Sequence, residues 1–67
     1  MIVKLLEKQP FMHQTDFLWY DEGSLFEVID VKTIKGIGKC YKLKDFKRNI
    51  VLDGWNVMKS FEEFKGV

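Results

Sequence analysis

The chain has one cysteine, one proline and one histidine in 67 residues. A single thiol excludes an internal disulfide, and a single imidazole argues against a structural zinc site. No run approaches the ~18 apolar residues of a membrane span. The opening Met1-Ile2-Val3-Lys4-Leu5-Leu6-Glu7 lacks the apolar stretch of a secretory signal. A lone Cys40 suits a reducing compartment, so a cytoplasmic protein is expected. Net charge is also nearly absent, at +1. That figure hides a layout. Residues 1–31 carry two Lys against six Asp and Glu, net −4. Residues 32–48 carry six Lys and Arg48 against Asp45, net +6, and residues 49–67 come to −1. An acidic block beside a basic block points to surfaces for partners rather than to chemistry.

Aromatic residues are plentiful: six Phe, two Trp and two Tyr. A chain this short forms one domain and buries only about 60% of the surface it exposes when unfolded. Without disulfide or metal, stability must come from packing these rings, with a partner or a second copy of the chain expected to help. The hydrophobic share of 46% with little net charge argues against disorder.

Short β-rich runs dominate. Residues 2–6 read as a first strand, which Gln9-Pro10 breaks. Residues 11–20 have apolar ends around a polar middle and read as a long, partly ordered loop leading into a second strand. Asp21-Glu22-Gly23-Ser24 is a turn. Leu25–Val31 has period-2 character: Phe26 and Val28 face one way, while Ile29 and Val31 share the Glu27 face. The glycines of Lys35-Gly36-Ile37-Gly38 permit a hairpin. Residues 39–45 return, with Tyr41 and Leu43 on one face and Lys42 and Lys44 on the other. Phe46–Asn49 is the next turn, and Ile50-Val51-Leu52 starts another strand. Asp53-Gly54 reads as a hairpin turn or a bulge, and Trp55–Met58 resumes extended structure with Trp55 in the core. Ser60-Phe61-Glu62-Glu63 matches a capping box, so a helical turn is expected over 61–65, ended by Gly66 and pinned by Phe61 and Phe64. Four or five strands at close spacing predict a mainly β fold, a small antiparallel barrel: SH3-like first, OB-like second.

The stretch Tyr20–Val31, then Cys40-Tyr41-Lys42-Leu43-Lys44-Asp45, then Met58-Lys59-Ser60-Phe61-Glu62-Glu63-Phe64 resembles the small SH3-like barrel proteins of bacteriophages and mobile elements of Gram-positive bacteria. The resemblance covers about two-thirds of the chain and its motifs are structural. It implies a fold and a genomic setting. It carries no catalytic residues.

The chemistry-bearing side chains read mostly as structure. His13 has no nucleophile beside it in sequence, and Cys40 reads as a partly buried thiol even with Lys39 and Lys42 nearby. Asp21-Glu22 and Glu62-Glu63 read as turn and cap, and Gly36-x-Gly38 is too short for a phosphate loop. No enzyme activity, metal or cofactor is expected. Two surfaces compete for function. The basic block offers Lys32, Lys35, Lys39, Lys42, Lys44, Lys47 and Arg48, as a solvated strand face, a site for an acidic protein, or a nucleic-acid site. The aromatic segment offers Phe11, Met12, Phe17, Leu18, Trp19 and Tyr20, as a partner contact or a lid over one barrel mouth. The partner-binding residues expected from both are Phe17, Trp19, Tyr20, Lys42, Lys44, Lys47 and Arg48. The function these imply is that of a protein-binding module, a phage-encoded inhibitor that occludes a larger host enzyme such as a defence nuclease. The alternative is a nucleic-acid-binding barrel using residues 32–48.

Overall fold

A computed structural model describes residues 1–66. Seven strands make the fold mainly β: β1 Ile2–Leu5, β2 Gln9–His13, β3 Asp16–Tyr20, β4 Leu25–Ile34, β5 Gly38–Asp45, β6 Asn56–Val57 and β7 Phe61–Glu63, with a 3₁₀ turn at Met58–Ser60. Five of them form one antiparallel sheet in the order β6-β5-β4-β1-β7, and β2 pairs with β3 in a separate hairpin. The two sheets are not joined into a closed barrel by strand pairing among the described residues. They meet through side chains and through the Tyr20 hydroxyl of β3, which donates to Asp45 of β5 (2.6 Å), and two further bonds tie β2 to the β5–β6 connection. Asp53 N–H donates to the Met12 carbonyl (2.8 Å), and His13 Nδ1 donates to the Val51 carbonyl (3.1 Å). No helix among the described residues is long and apolar enough to cross a membrane.

Alternation builds the core. Val3 and Leu5 of β1, Phe26 of β4, and Tyr41 and Leu43 of β5 all turn inward and are buried. Phe26 is fully enclosed and sits at the centre of the aromatic group, with Tyr20, Phe11 and Phe61 at centroid distances of 5.0, 5.5 and 5.8 Å. Offset and edge-on ring pairs like these each add about 0.5–1.5 kcal/mol beyond the area they bury. Phe11 and Tyr20 come from the β2–β3 hairpin, so the hairpin closes the open face of the larger sheet.

Residues 11–20 are therefore most of an ordered hairpin, two strands joined by a tight turn at Gln14-Thr15, not a long loop. Pro10 does not break the run, because it lies at the edge of a two-stranded hairpin opposite Trp19. Gln14 takes the positive φ of 57° that a two-residue hairpin loop requires at its first position.

Three further expectations are corrected. Residues 61–63 form strand β7 against β1, with Leu5 opposite Phe61 and Val3 opposite Glu63. Pairing satisfies backbone groups along an existing strand, whereas one isolated helical turn satisfies almost none. The helical turn lies just before it, at Met58–Ser60, and Ser60 does not cap it. Phe61 does pin this segment to the core, while Phe64 is only half-buried. In β4 the register shifts between Val28 and Asp30, so Ile29 is a bulge and Val31 falls opposite Tyr41 rather than on the Glu27 face. Residues 50–52 form a single bridge, Val51 to Lys44, instead of a strand.

Trp55 is also displaced from its expected place. It is half-buried and outside the core, and the Lys32 and Lys42 ammonium groups lie 5.1 and 5.8 Å from its ring centroid. Leu52 occupies the inward position instead, fully buried. Removing a central core ring costs about 3–5 kcal/mol, comparable to the whole stability of a domain this small. Phe26→Ala is therefore expected to unfold the protein at room temperature. Trp55→Ala should lower stability by only about 1–2 kcal/mol and leave the fold intact. Thermal unfolding followed by circular dichroism separates the two, and the reverse ranking would contradict this packing.

Candidate functional site

Where β5 ends, Asp45 organises the chain. Its main-chain N–H donates to the Ile50 carbonyl (2.8 Å), and its carbonyl accepts the Asn49 N–H (2.9 Å). Asn49 has a φ of 61°, which closes the turn. Asp45 is only 3% exposed. Oδ1 accepts the N–H groups of Lys47 (2.8 Å) and Arg48 (3.1 Å), and Oδ2 accepts the Tyr20 hydroxyl (2.6 Å). A buried carboxylate needs such donors, since an unpaired one would cost several kcal/mol. Arg48 completes the arrangement, with Nε 3.8 Å from Asp45 Oδ2 and its guanidinium carbon 5.4 Å from the Tyr20 ring centre.

These contacts set the ionisation of both groups. Burial raises the Asp45 pKa, but the Tyr20 hydroxyl, the two turn N–H groups and the Arg48 charge outweigh it, and the net value is lowered. For Tyr20, burial and the adjacent Asp45 carboxylate push the phenol up to about 12, with Arg48 opposing.

Above this floor lies a groove of about 470 Å³. Its walls are the end of β3, the 21–25 turn and the 45–48 turn. Trp19 (62% exposed) and Phe46 (59% exposed) border it, with Lys47 and Arg48 on the same side as Phe46. The 21–24 turn is held by Ser24 Oγ donating to the Asp21 carbonyl (2.7 Å) and by Gly23 N–H donating to the Leu5 carbonyl (2.8 Å). Lys8 reaches the other flank, 5.9 Å from the Trp19 ring centroid and 4.0 Å from Asp21 Oδ1. The groove thus pairs two solvent-facing rings with cations above a rigid, buried polar floor.

Of the residues expected to bind a partner, Trp19, Tyr20, Lys47 and Arg48 line this groove. Tyr20 does so as floor: it is 7% exposed and belongs to the core. Phe17, 65% exposed, shares the outward face of the hairpin with Trp19 but lines a second cleft of about 340 Å³ with Met12, Asp53 and Trp55. Lys42 and Lys44 lie apart, on the outer face of β5 opposite Asp30 and Glu27. Two participants escaped the sequence reading. Asp45 opening a four-residue turn was the available signal, because Asp side chains accept N–H groups two and three residues on. Phe46 was read only as part of that turn, although a large ring at an exposed turn position is itself unusual.

Neither His13 nor Cys40 joins the groove. His13 is tied to Val51, and Cys40 is 1% exposed with its thiol 3.7 Å from the Gly38 carbonyl. Among the described residues no three His, Cys, Asp or Glu side chains gather closely enough to hold a metal ion. The chain matches no family model, no curated protein and no solved structure.

The lowered pKa of Asp45 makes stability acid-sensitive in a defined direction. A carboxyl whose folded value lies below its unfolded value of about 3.9 contributes fully above that value and loses its contribution as pH falls through the folded value. Asp45→Asn should lower stability near pH 7 by about 1–3 kcal/mol. It should also flatten the pH dependence below about pH 4. Urea titrations across that range check both. Equal acid sensitivity in the two proteins would contradict the role given to Asp45.

Proposed function

We propose that this protein is a non-enzymatic binding module that seats a protein partner in the groove between Trp19 and Phe46. The observation that carries this reading is the pair of rings left more than half exposed over a floor fixed by Tyr20, Asp45 and Arg48. Small domains need their aromatic residues for the core, so rings held in solvent at a rigid concavity are suited to anchoring a partner. Lys47, Arg48 and Lys8 ring the groove and favour a partner with acidic groups beside an apolar or aromatic anchor.

The strand order β7-β1-β4-β5-β6, with a hairpin inserted after the first strand and a 3₁₀ turn before the last, supports an SH3-like arrangement. With the resemblance to phage-encoded barrels, this favours a small inhibitor that works by occlusion, covering a working surface of a larger host enzyme such as a defence nuclease. The second reading, nucleic-acid binding, draws on the tip of the β4–β5 hairpin. There Lys32, Lys35 and Lys39 have no acidic residue directly opposite, since Lys32 faces Cys40 and Lys39 faces Thr33.

The test is a binding titration against the protein that wild type retains from nuclease-treated host lysate. Trp19→Ala and Phe46→Ala should each weaken binding by about 2 kcal/mol or more, roughly 30-fold, with unchanged circular dichroism. Charge reversal at Lys42 and Lys44 should mainly slow association and alter its salt dependence. Binding that is indifferent to both aromatic changes would overturn the groove. A steeply salt-dependent affinity for single-stranded oligonucleotides, abolished by reversing Lys32, Lys35 and Lys39, would put the nucleic-acid reading in its place.

A further inference from the structure

Strand β4 is ten residues long, but its partners are unequal. β5 accompanies it from Phe26 to Ile34. On its other side β1 covers only Leu25, Phe26 and Glu27, with one more bond from Val28 N–H to the Met1 carbonyl (2.9 Å). From Ile29 to Ile34 no described strand lies along that edge. Val31 N–H points to the carboxylate of its own neighbour, Asp30 Oδ1 at 2.9 Å, rather than to a strand. Main-chain groups alternate sides along an antiparallel strand, so those of Thr33 point the same way as those of Val31. Ile29 and Val31 are 44% and 45% exposed beside this edge. An open edge bearing apolar side chains is a template for strand addition.

The residues on this edge identify the added strand. Read outward from Val31 within the open stretch, the segment is antisymmetric in charge and matched in character: Asp30 stands against Lys32, and Ile29 against Thr33. Such a segment complements its own reverse. We propose that the open edge of β4 pairs antiparallel with the same edge of a second copy of this chain, about a two-fold axis through Val31. In that register Val31 faces its counterpart, and each Asp30 faces the partner copy's Lys32, giving two symmetric ion pairs on one face of a continuous sheet. The shift at Ile29 puts Asp30 and Lys32 together on the outer face, opposite Lys42 and Cys40, and Val31 on the inner one. A parallel arrangement would instead set Asp30 against Asp30 and Lys32 against Lys32, which like-charge repulsion disfavours. The two outer strands of the five-stranded sheet are short, two residues in β6 and three in β7, and β7 carries Glu62 and Glu63. The pairing is isologous and closes on itself, so it ends at a dimer. It leaves the groove at Trp19 and Phe46 free, and it stands or falls separately from the function proposed for that groove.

Sedimentation equilibrium from about 1 μM to about 1 mM, a span that brackets weak specific association, tests the pairing. Wild type should pass from monomer to dimer. Asp30→Lys and Lys32→Asp, each of which sets like charges across the axis twice, should raise the dissociation constant by roughly tenfold or more. The double variant Asp30→Lys/Lys32→Asp, which restores opposite charges, should recover the dimer. Amide hydrogen exchange on wild type alone gives an independent reading, with Val31 and Thr33 protected more strongly as concentration rises. A wild type that stays monomeric throughout, single reversals that leave the dimer unchanged, or a double variant no better than the singles would overturn the proposal. So would exchange at Val31 and Thr33 that ignores concentration.

Discussion

The hydrogen bond from Tyr20 to Asp45 is the constraint on which the rest of the molecule depends. Asp45 is nearly fully buried and ionised, so it must be supplied with donors. Two come from its own turn and one from the far end of the β2–β3 hairpin. The same carboxylate therefore shapes the 45–49 turn and ties the hairpin to the five-stranded sheet. The Tyr20 ring stacks obliquely on Phe26 (5.0 Å) and lies beneath Arg48, which joins the polar lock to the aromatic core. Phe46 faces solvent because Phe46 N–H is held by the Leu25 carbonyl (3.2 Å) and its neighbours by Asp45. The groove is thus a by-product of the way two sheets are fastened in a chain with no disulfide.

The charge layout has a related explanation. Acidic and basic blocks adjacent in sequence become adjacent strands, and the register sets Glu27 opposite Lys44 and Asp30 opposite Lys42. Lys4 and Glu62 pair similarly across β1 and β7 at 3.8 Å. Most of the apparent polarity cancels between strands, and exposed pairs of this kind contribute little stability individually. Their effect is on register, because a slip by one residue would set Glu27 against Leu43 or Asp45 and turn the core side chains outward. The positive excess that survives collects at the β4–β5 tip and around the groove.

Elements with local signals were legible in the sequence. The β4–β5 hairpin follows from two glycines that take φ values of 85° and 107°, and the burial of Phe26, Tyr41 and Leu43 follows from alternation. Elements decided by distant contacts were not. Phe61–Glu63 carries a helix-start pattern, yet pairing with β1 prevails. The β2–β3 hairpin lacks a glycine turn and contains Pro10, so its strand character shows only once Phe11 and Tyr20 are seen to meet Phe26. The bulge at Ile29 reverses the facing of Val31 and leaves no trace in a hydrophobic pattern. Half of the site was visible as residue types, Trp19 with Lys47 and Arg48. The lock beneath it was not, because it joins residues 25 positions apart.

A double-mutant cycle on Tyr20→Phe and Asp45→Ala, read by urea unfolding at neutral pH, tests the central claim most directly. A buried hydrogen bond to a charged carboxylate predicts a coupling energy of about 1.5–3 kcal/mol between the two changes. Additivity within about 0.5 kcal/mol would show that the hairpin and the turn are held independently, and would contradict the account.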